Sequence, residues 1–172
     1  MTNGMGIKIG RAAYVFPDRF DLDLVCGMTY SGVVDIGILR KHVMKDLAPD
    51  FVAETRPGDL LVAGSFFPYG HFHPSAMLAM RDLGIDMILA RSFQTVFFKT
   101  YLAQGMLVLP CAVLPDDIRR FETFAVDLDD WSVWREATGE SFPLDEVTRT
   151  EREIMSCGGI RPYLMKKHGS ER

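Results

Sequence analysis

Three short apolar runs, each bounded by glycine or by a polar turn, predict buried strands in the middle of the chain. They cover residues 59–63, 85–90 and 106–109. Short, continuous apolar runs of this kind are typical of strands that are covered on both faces, as in a parallel sheet.

The segments between these runs have apolar residues at helical spacing. Helices are predicted over residues 75–83 and 92–104, with Ser75 and Ser92 as their N-caps. Because strands and helices alternate, the strands are expected to be parallel and joined by right-handed crossovers.

Different patterns flank this alternating part. The sequence predicts an opening strand or strand pair over residues 7–16, an extended piece at 24–26, a small antiparallel region from residue 121 to the turn at 138–139, and helices over 148–157 and 161–167. With no internal repeat and no dividing linker, residues 1–172 are expected to form a single domain. The predicted fold class is α/β, with a mostly parallel central sheet, flanking helices and a small antiparallel region.

Composition narrows the function classes. The chain has 172 residues, 48% of them hydrophobic, which is enough to build a core without disulfides or metal. Its net charge of −4 argues against nucleic-acid or anionic-membrane binding, since both draw affinity from clustered Lys and Arg. No apolar run approaches a membrane span, and the N-terminus lacks the pattern of a signal peptide, so a cytoplasmic location is expected.

Cys26, Cys111 and Cys157 are far apart in sequence and form no CxxC pair. This spacing predicts neither a disulfide framework nor an iron–sulfur or zinc site on this chain.

Two polar clusters are candidates for chemistry. Asp21 and Asp23, with Asp18 nearby, either hold functional groups in place or bond local backbone N–H groups in a turn.

His71 and His73 follow a predicted buried strand, where ligands gather in parallel α/β folds. They could act as acid or base, bind a carboxylate or ligate metal, or be incidental loop residues. With no third ligand in view, no metal site is predicted. Gly64 and Gly70 frame the loop and indicate either a close backbone approach or a plain turn.

An ordered set of segments carries a family resemblance. These are residues 57–64, Ala90-Arg91-Ser92-Phe93, residues 104–110, Asp18-Arg19-Phe20-Asp21-Leu22-Asp23 and residues 158–167. Together they resemble the small subunits of isopropylmalate dehydratase and, more broadly, the swivel domain of the aconitase superfamily. The family's element that matches residues 18–23 reads Asp-Asn-Ile-Asp-Thr-Asp.

The resemblance implies a swivelling β/β/α domain that works as one half of a hydro-lyase. A separate large subunit binds a [4Fe–4S] cluster that acts on the substrate hydroxyl, and the small subunit closes over the hydroxy-acid substrate. It contributes a Ser that removes a proton α to a carboxylate and an Arg that binds a carboxylate. No cofactor is expected on this chain itself.

The chain departs from the family at the site. The family's loop Gly-Cys-Gly-Ser-Ser-Arg-Glu-His-Ala corresponds here to residues 68–76, so that His71 replaces the Ser and His73 replaces the Arg. We therefore predict His71 as the base and His73 as the carboxylate partner. Substrate-binding roles are predicted for Asp21, Asp23, Gly70, and for Tyr30 and Ser31, which begin the family's specificity loop.

These replacements indicate a substrate other than isopropylmalate. Two alternatives stay open: a catalytically silent regulatory or assembly subunit with the same fold, and a stand-alone small-ligand-binding protein.

Overall fold

The computed structural model describes residues 5–169. Within them, seven strands form one sheet in the order β4-β3-β2-β1-β5-β6-β7. The strands are β1 Ile7–Phe16, β2 Leu60–Ala63, β3 Met87–Ala90, β4 Leu107–Pro110, β5 Thr123–Asp127, β6 Ser132–Arg135 and β7 Glu140–Pro143. The helices are α1 Asp23–Cys26, α2 Ile36–His42, α3 Phe51–Glu54, α4 Pro74–Asp82, α5 Thr95–Ala103, α6 Arg149–Cys157 and α7 Ile160–Gly169, with a 3₁₀ turn over Met28–Tyr30.

The parallel half of the sheet confirms the predicted α/β class. β1, β2, β3 and β4 pair in parallel, and α4 and α5 are the crossovers between β2, β3 and β4. Every residue of β2 and β3 is buried. Their continuous apolar sequences therefore reflect cover on both faces of the sheet.

The long strand β1 joins this half to the predicted antiparallel region. Its residues 7–11 pair antiparallel with β5, and its later residues pair in parallel with β2, with a register shift between Ala12 and Tyr14. β5, β6 and β7 continue the sheet as an antiparallel meander. The opening segment is thus one strand rather than a pair, and its two partners make the sheet continuous.

Three local predictions were wrong. Residues 24–26 belong to α1, since a short apolar run does not distinguish a strand from a buried helical turn. α4 begins at Pro74 with His73 as its N-cap, because proline is well suited to the first helical position. Ser75 is instead buried, and its hydroxyl has no hydrogen-bond partner among the described residues. Ser92 precedes α5 without capping it, and its Oγ accepts a hydrogen bond from Phe66 N at 2.8 Å.

No helix in the described part of the chain is long and apolar enough to cross a membrane.

A buried arginine stabilises the antiparallel half of the sheet. Arg135 on β6 is only 5% exposed, and it donates to Glu122 Oε2 at 2.6 Å and to Asp117 Oδ1 at 2.8 Å. These hydrogen bonds tie β6 to the segment that enters β5. They also lower the pKa of the Glu122 carboxyl.

This pKa shift predicts an acid-sensitive contribution to stability. Because the folded pKa of Glu122 lies below its unfolded value, its contribution is present above the unfolded pKa and is lost as the pH falls through the folded one. The unfolding free energy should therefore fall less steeply between about pH 5 and about pH 3 in Glu122→Gln than in the wild type. Urea unfolding across this range measures the difference. Glu136→Gln, at an exposed position just after β6, is the matched control and should follow the wild-type curve. Equal slopes for Glu122→Gln and the wild type would contradict the assignment.

Candidate active site at the carboxyl ends of the parallel strands

Two loops lie side by side where β1 and β2 end. We call residues 18–23 the acidic segment and residues 65–73 the histidine loop. Backbone hydrogen bonds join them: Arg19 N donates to Ser65 O at 2.8 Å, Tyr69 N to Phe20 O at 2.7 Å and Leu22 N to Tyr69 O at 2.9 Å. The parallel pairing of β1 with β2 thus continues past the strands into both loops.

Three buried phenylalanine rings pack between the two loops and the end of the sheet. Phe16 ends β1, Phe20 lies in the acidic segment and Phe67 lies in the histidine loop, and all three are buried. The ring of Phe16 is 4.4 Å from that of Phe20 and 5.2 Å from that of Phe67. Burial of these rings holds both loops against the end of the sheet.

The two predicted histidines converge on one predicted aspartate. His73 Nε2 hydrogen-bonds to Asp23 Oδ1, and His71 Nδ1 lies 3.8 Å from Asp23 Oδ2. The two imidazoles differ in access, since the side chain of His73 is 12% exposed and that of His71 is 81% exposed. Asp23 therefore binds the enclosed histidine and lies close to the open one.

Gly70 and Asp21 explain how the loops can approach so closely. Asp21 Oδ1 accepts a hydrogen bond from Asp23 N at 3.0 Å, which sets the start of α1. A Cβ atom on Gly70 would lie 2.5 Å from that same oxygen, and the φ of Gly70 is +92°. Glycine is required here both for the backbone conformation and for the space beside Asp21.

The structure does not bring the other two predicted residues into contact with the histidines. The ring of Tyr30 stacks on that of His42 in α2, with centroids 3.9 Å apart, and Ser31 N donates to Met28 O at 3.1 Å. In the part of the chain the structure describes, neither residue has a side-chain hydrogen bond or ring contact with His71 or His73. Their substrate-binding roles stay predictions.

Arg91 contacts the acidic segment, although it was not among the predicted site residues. It follows β3, where its Nε donates to Leu114 O at 3.0 Å and its Nη1 lies 3.5 Å from Asp18 Oδ1, and it also pairs with Asp116. These partners line a cleft of about 510 Å³ at the carboxyl ends of β1, β2 and β3. The signal in the sequence was a charged residue directly after a buried strand, the place where α/β sheets bind ligands.

The three cysteines lie in separate elements of the fold. Cys26 lies in α1, Cys111 follows β4 and Cys157 ends α6. Burial raises the pKa of both Cys26 and Cys111 to about 11, so these buried thiols are protonated and unreactive near neutral pH. Among the described residues, no group of three or more His, Cys, Asp and Glu is arranged to hold a metal ion.

Comparisons with known proteins agree on one class. No protein-family model matches the chain. The 3-isopropylmalate dehydratase small subunit 1 of Archaeoglobus fulgidus is 31% identical over 152 residues, which are 88% of this chain and 93% of the relative. The isopropylmalate/citramalate isomerase small subunit of Methanocaldococcus jannaschii is 27% identical over 152 residues, which are 88% of this chain and 90% of the relative.

 

The crystal structure of 3-isopropylmalate dehydratase from the same organism superposes with a TM-score of 0.83 at 26% identity, covering 96% of this chain and 97% of that one.

Fold and matches together define a mixed α/β domain of the kind found in 3-isopropylmalate dehydratase. Within this class, the chain belongs to the family of isopropylmalate dehydratase small subunits.

The contact between Gly70 and Asp21 generates a stability prediction. Gly70→Ala should lower the unfolding free energy by about 1–2 kcal/mol for the left-handed backbone, and by about 1–3 kcal/mol more for the collision with Asp21. Gly139→Ala is the matched control, since the φ of Gly139 is +71° but no atom lies within 4 Å of an added Cβ. It should show the backbone cost alone. Urea unfolding of both variants gives the comparison, and equal losses would contradict the close approach of the two loops.

Proposed function

We propose that this chain is the small subunit of a two-subunit hydro-lyase that acts on a hydroxy acid other than isopropylmalate. Family membership supports the reaction class. The observation that carries the proposal is the convergence of His71 and His73 on Asp23, at positions where the resemblance implies a Ser and an Arg. That a relative is named as an isopropylmalate/citramalate isomerase subunit is consistent with substrate variation in the family.

His71 is proposed as the general base. Asp23 near its Nδ1 favours the tautomer with the proton on that nitrogen, which leaves the Nε2 lone pair as the basic site. Nε2 has no protein partner among the described residues, and the exposed ring is open to a substrate. In the proposed step, Nε2 takes the proton α to a carboxylate and the C–H electron pair forms the double bond. The C–O bond breaks, and the hydroxyl leaves with its bonding pair as hydroxide, which takes up a proton to become water. A histidine base suits neutral pH.

His73 is proposed as a positioning residue. The sequence assigned it to a substrate carboxylate, but its Nε2 is already bonded to Asp23 and its ring is largely enclosed. In this arrangement His73 holds the Asp23 carboxylate, and Asp23 in turn orients His71.

The large subunit is proposed to carry the [4Fe–4S] cluster that the family resemblance implies. Its chemistry acts on the substrate hydroxyl, whereas the residues of this chain handle the proton and the orientation of the substrate. The positions of Cys26, Cys111 and Cys157 in separate elements support placing the cluster outside this chain.

The test is anaerobic co-purification with the matching large subunit, followed by a screen of hydroxy mono- and dicarboxylic acids for dehydration. The wild-type complex should turn over one of them, and His71→Ala should lower kcat by about 10²–10⁴-fold with a modest change in KM, because a general base acts in the transition state. His168→Ala, an exposed histidine on α7, is the matched control and should leave kcat unchanged.

Full activity of an assembled complex that carries both His71→Ala and His73→Ala would end the catalytic assignment. A complex that assembles but dehydrates none of the acids would favour the silent regulatory or assembly subunit.

A further inference from the structure

An arginine at the rim of the paired loops lacks an ionic partner but has a defined position. The guanidinium of Arg19 lies 5.8 Å from the ring centroid of Phe66 and 5.5 Å from that of Tyr69. Arg19 is exposed, and it forms no ion pair with any carboxylate in residues 5–169. Aromatic faces hold a guanidinium in place and leave its N–H groups free to donate.

The backbone at Arg19 points to a role for the side chain. Its φ is +51°, in the left-handed region that asparagine tolerates better than arginine does. The matching family element has asparagine at this position. An arginine at this position therefore adopts an unfavourable backbone conformation. Its hydrogen bond to Ser65 O is made by the backbone N–H and would form with any side chain, so it does not explain the guanidinium.

Arg19 shares the loop pair with the proposed base. Tyr69, which contacts the guanidinium, bridges to Asp21 in parallel and precedes His71 by two residues. The other arginine near these loops, Arg91, is engaged with Asp18, Asp116 and Leu114 O. Of the two arginines beside these loops in residues 5–169, Arg19 is thus the one that remains available to an anion.

We propose that Arg19 binds a carboxylate of the substrate. The inference rests on the proposed function. One carboxylate pairs with the fork of guanidinium N–H groups, a geometry that favours two parallel hydrogen bonds. Arg19 thereby takes over the charge that is missing at position 73, where His73 is committed to Asp23.

The experiment uses the assembled complex with the large subunit. Arg19→Asn should raise KM for a hydroxydicarboxylic acid by about 10- to 100-fold with little change in kcat, since it removes a charge-assisted contact made in the bound ground state. Arg19→Lys keeps the charge without the fork and should raise KM by less. Because asparagine tolerates the left-handed backbone, Arg19→Asn should fold as stably as the wild type, which thermal unfolding checks.

A substrate comparison isolates the carboxylate. The wild-type complex should prefer the diacid over its half-amides, and Arg19→Asn should lose most of its preference against one of the two half-amides. Arg149→Asn, which changes an arginine that is 93% exposed on α6, is the matched control and should keep both KM and the preference.

Turnover with unchanged KM and unchanged preference in Arg19→Asn would overturn the role of Arg19 while leaving the hydro-lyase intact. If the complex turns over only monocarboxylic acids, an unchanged KM for them in Arg19→Asn would likewise overturn that role. If the wild-type complex turns over nothing, calorimetry with succinate and glutarate decides separately. Binding that Arg19→Asn weakens about 10-fold or more supports the carboxylate site, and absent or equal binding overturns it.

Discussion

Burial of three phenylalanine rings is the interaction on which the candidate site depends. Phe16 ends a strand of the sheet, and Phe20 and Phe67, one from each loop, pack their rings against it. Loops of this kind have no regular structure of their own, so their order must come from side chains packed into the core and from hydrogen bonds between the loops. Here both are present, because the backbone ladder of β1 and β2 continues into the loops above the rings.

The polar side chains of the candidate site lie on the side of the two loops that faces away from the phenylalanine rings. Asp23 lies between an enclosed histidine and an open one, and Arg19 rests on two aromatic rings of the adjoining loop. On our proposal these groups form half of an active site, in which proton removal and carboxylate binding belong to this chain and the chemistry at the hydroxyl belongs to the large subunit. The same loops would then be both the catalytic surface and the face that meets the partner.

Local sequence patterns predicted the elements better than their connections. The apolar runs that became β2, β3 and β4 were recognisable because burial on both faces leaves no polar positions. The double role of β1 was not, since its two partners are distant in the chain and pairing with both depends on tertiary contacts. The helix start at Pro74 shows how one residue overrides the cap preference of its neighbour Ser75.

The site was predicted only in part, because its key contacts join residues that are distant in the sequence. The resemblance aligned His71, His73 and the acidic segment with functional positions, but the bond between His73 and Asp23 joins residues 50 apart and needs the fold to be seen. The contacts of Arg91 and the aromatic cradle of Arg19 are also long-range and leave no periodic signal in the sequence.

Hydrogen–deuterium exchange of this chain, alone and in complex with the large subunit, tests most directly whether the paired loops form the working face. The account predicts that assembly slows exchange in residues 18–23 and 65–73, while the exposed outer face of the antiparallel half, around Ile9 and Trp134, exchanges as in the free chain. Protection confined to that outer face, with unchanged exchange in both loops, would contradict it.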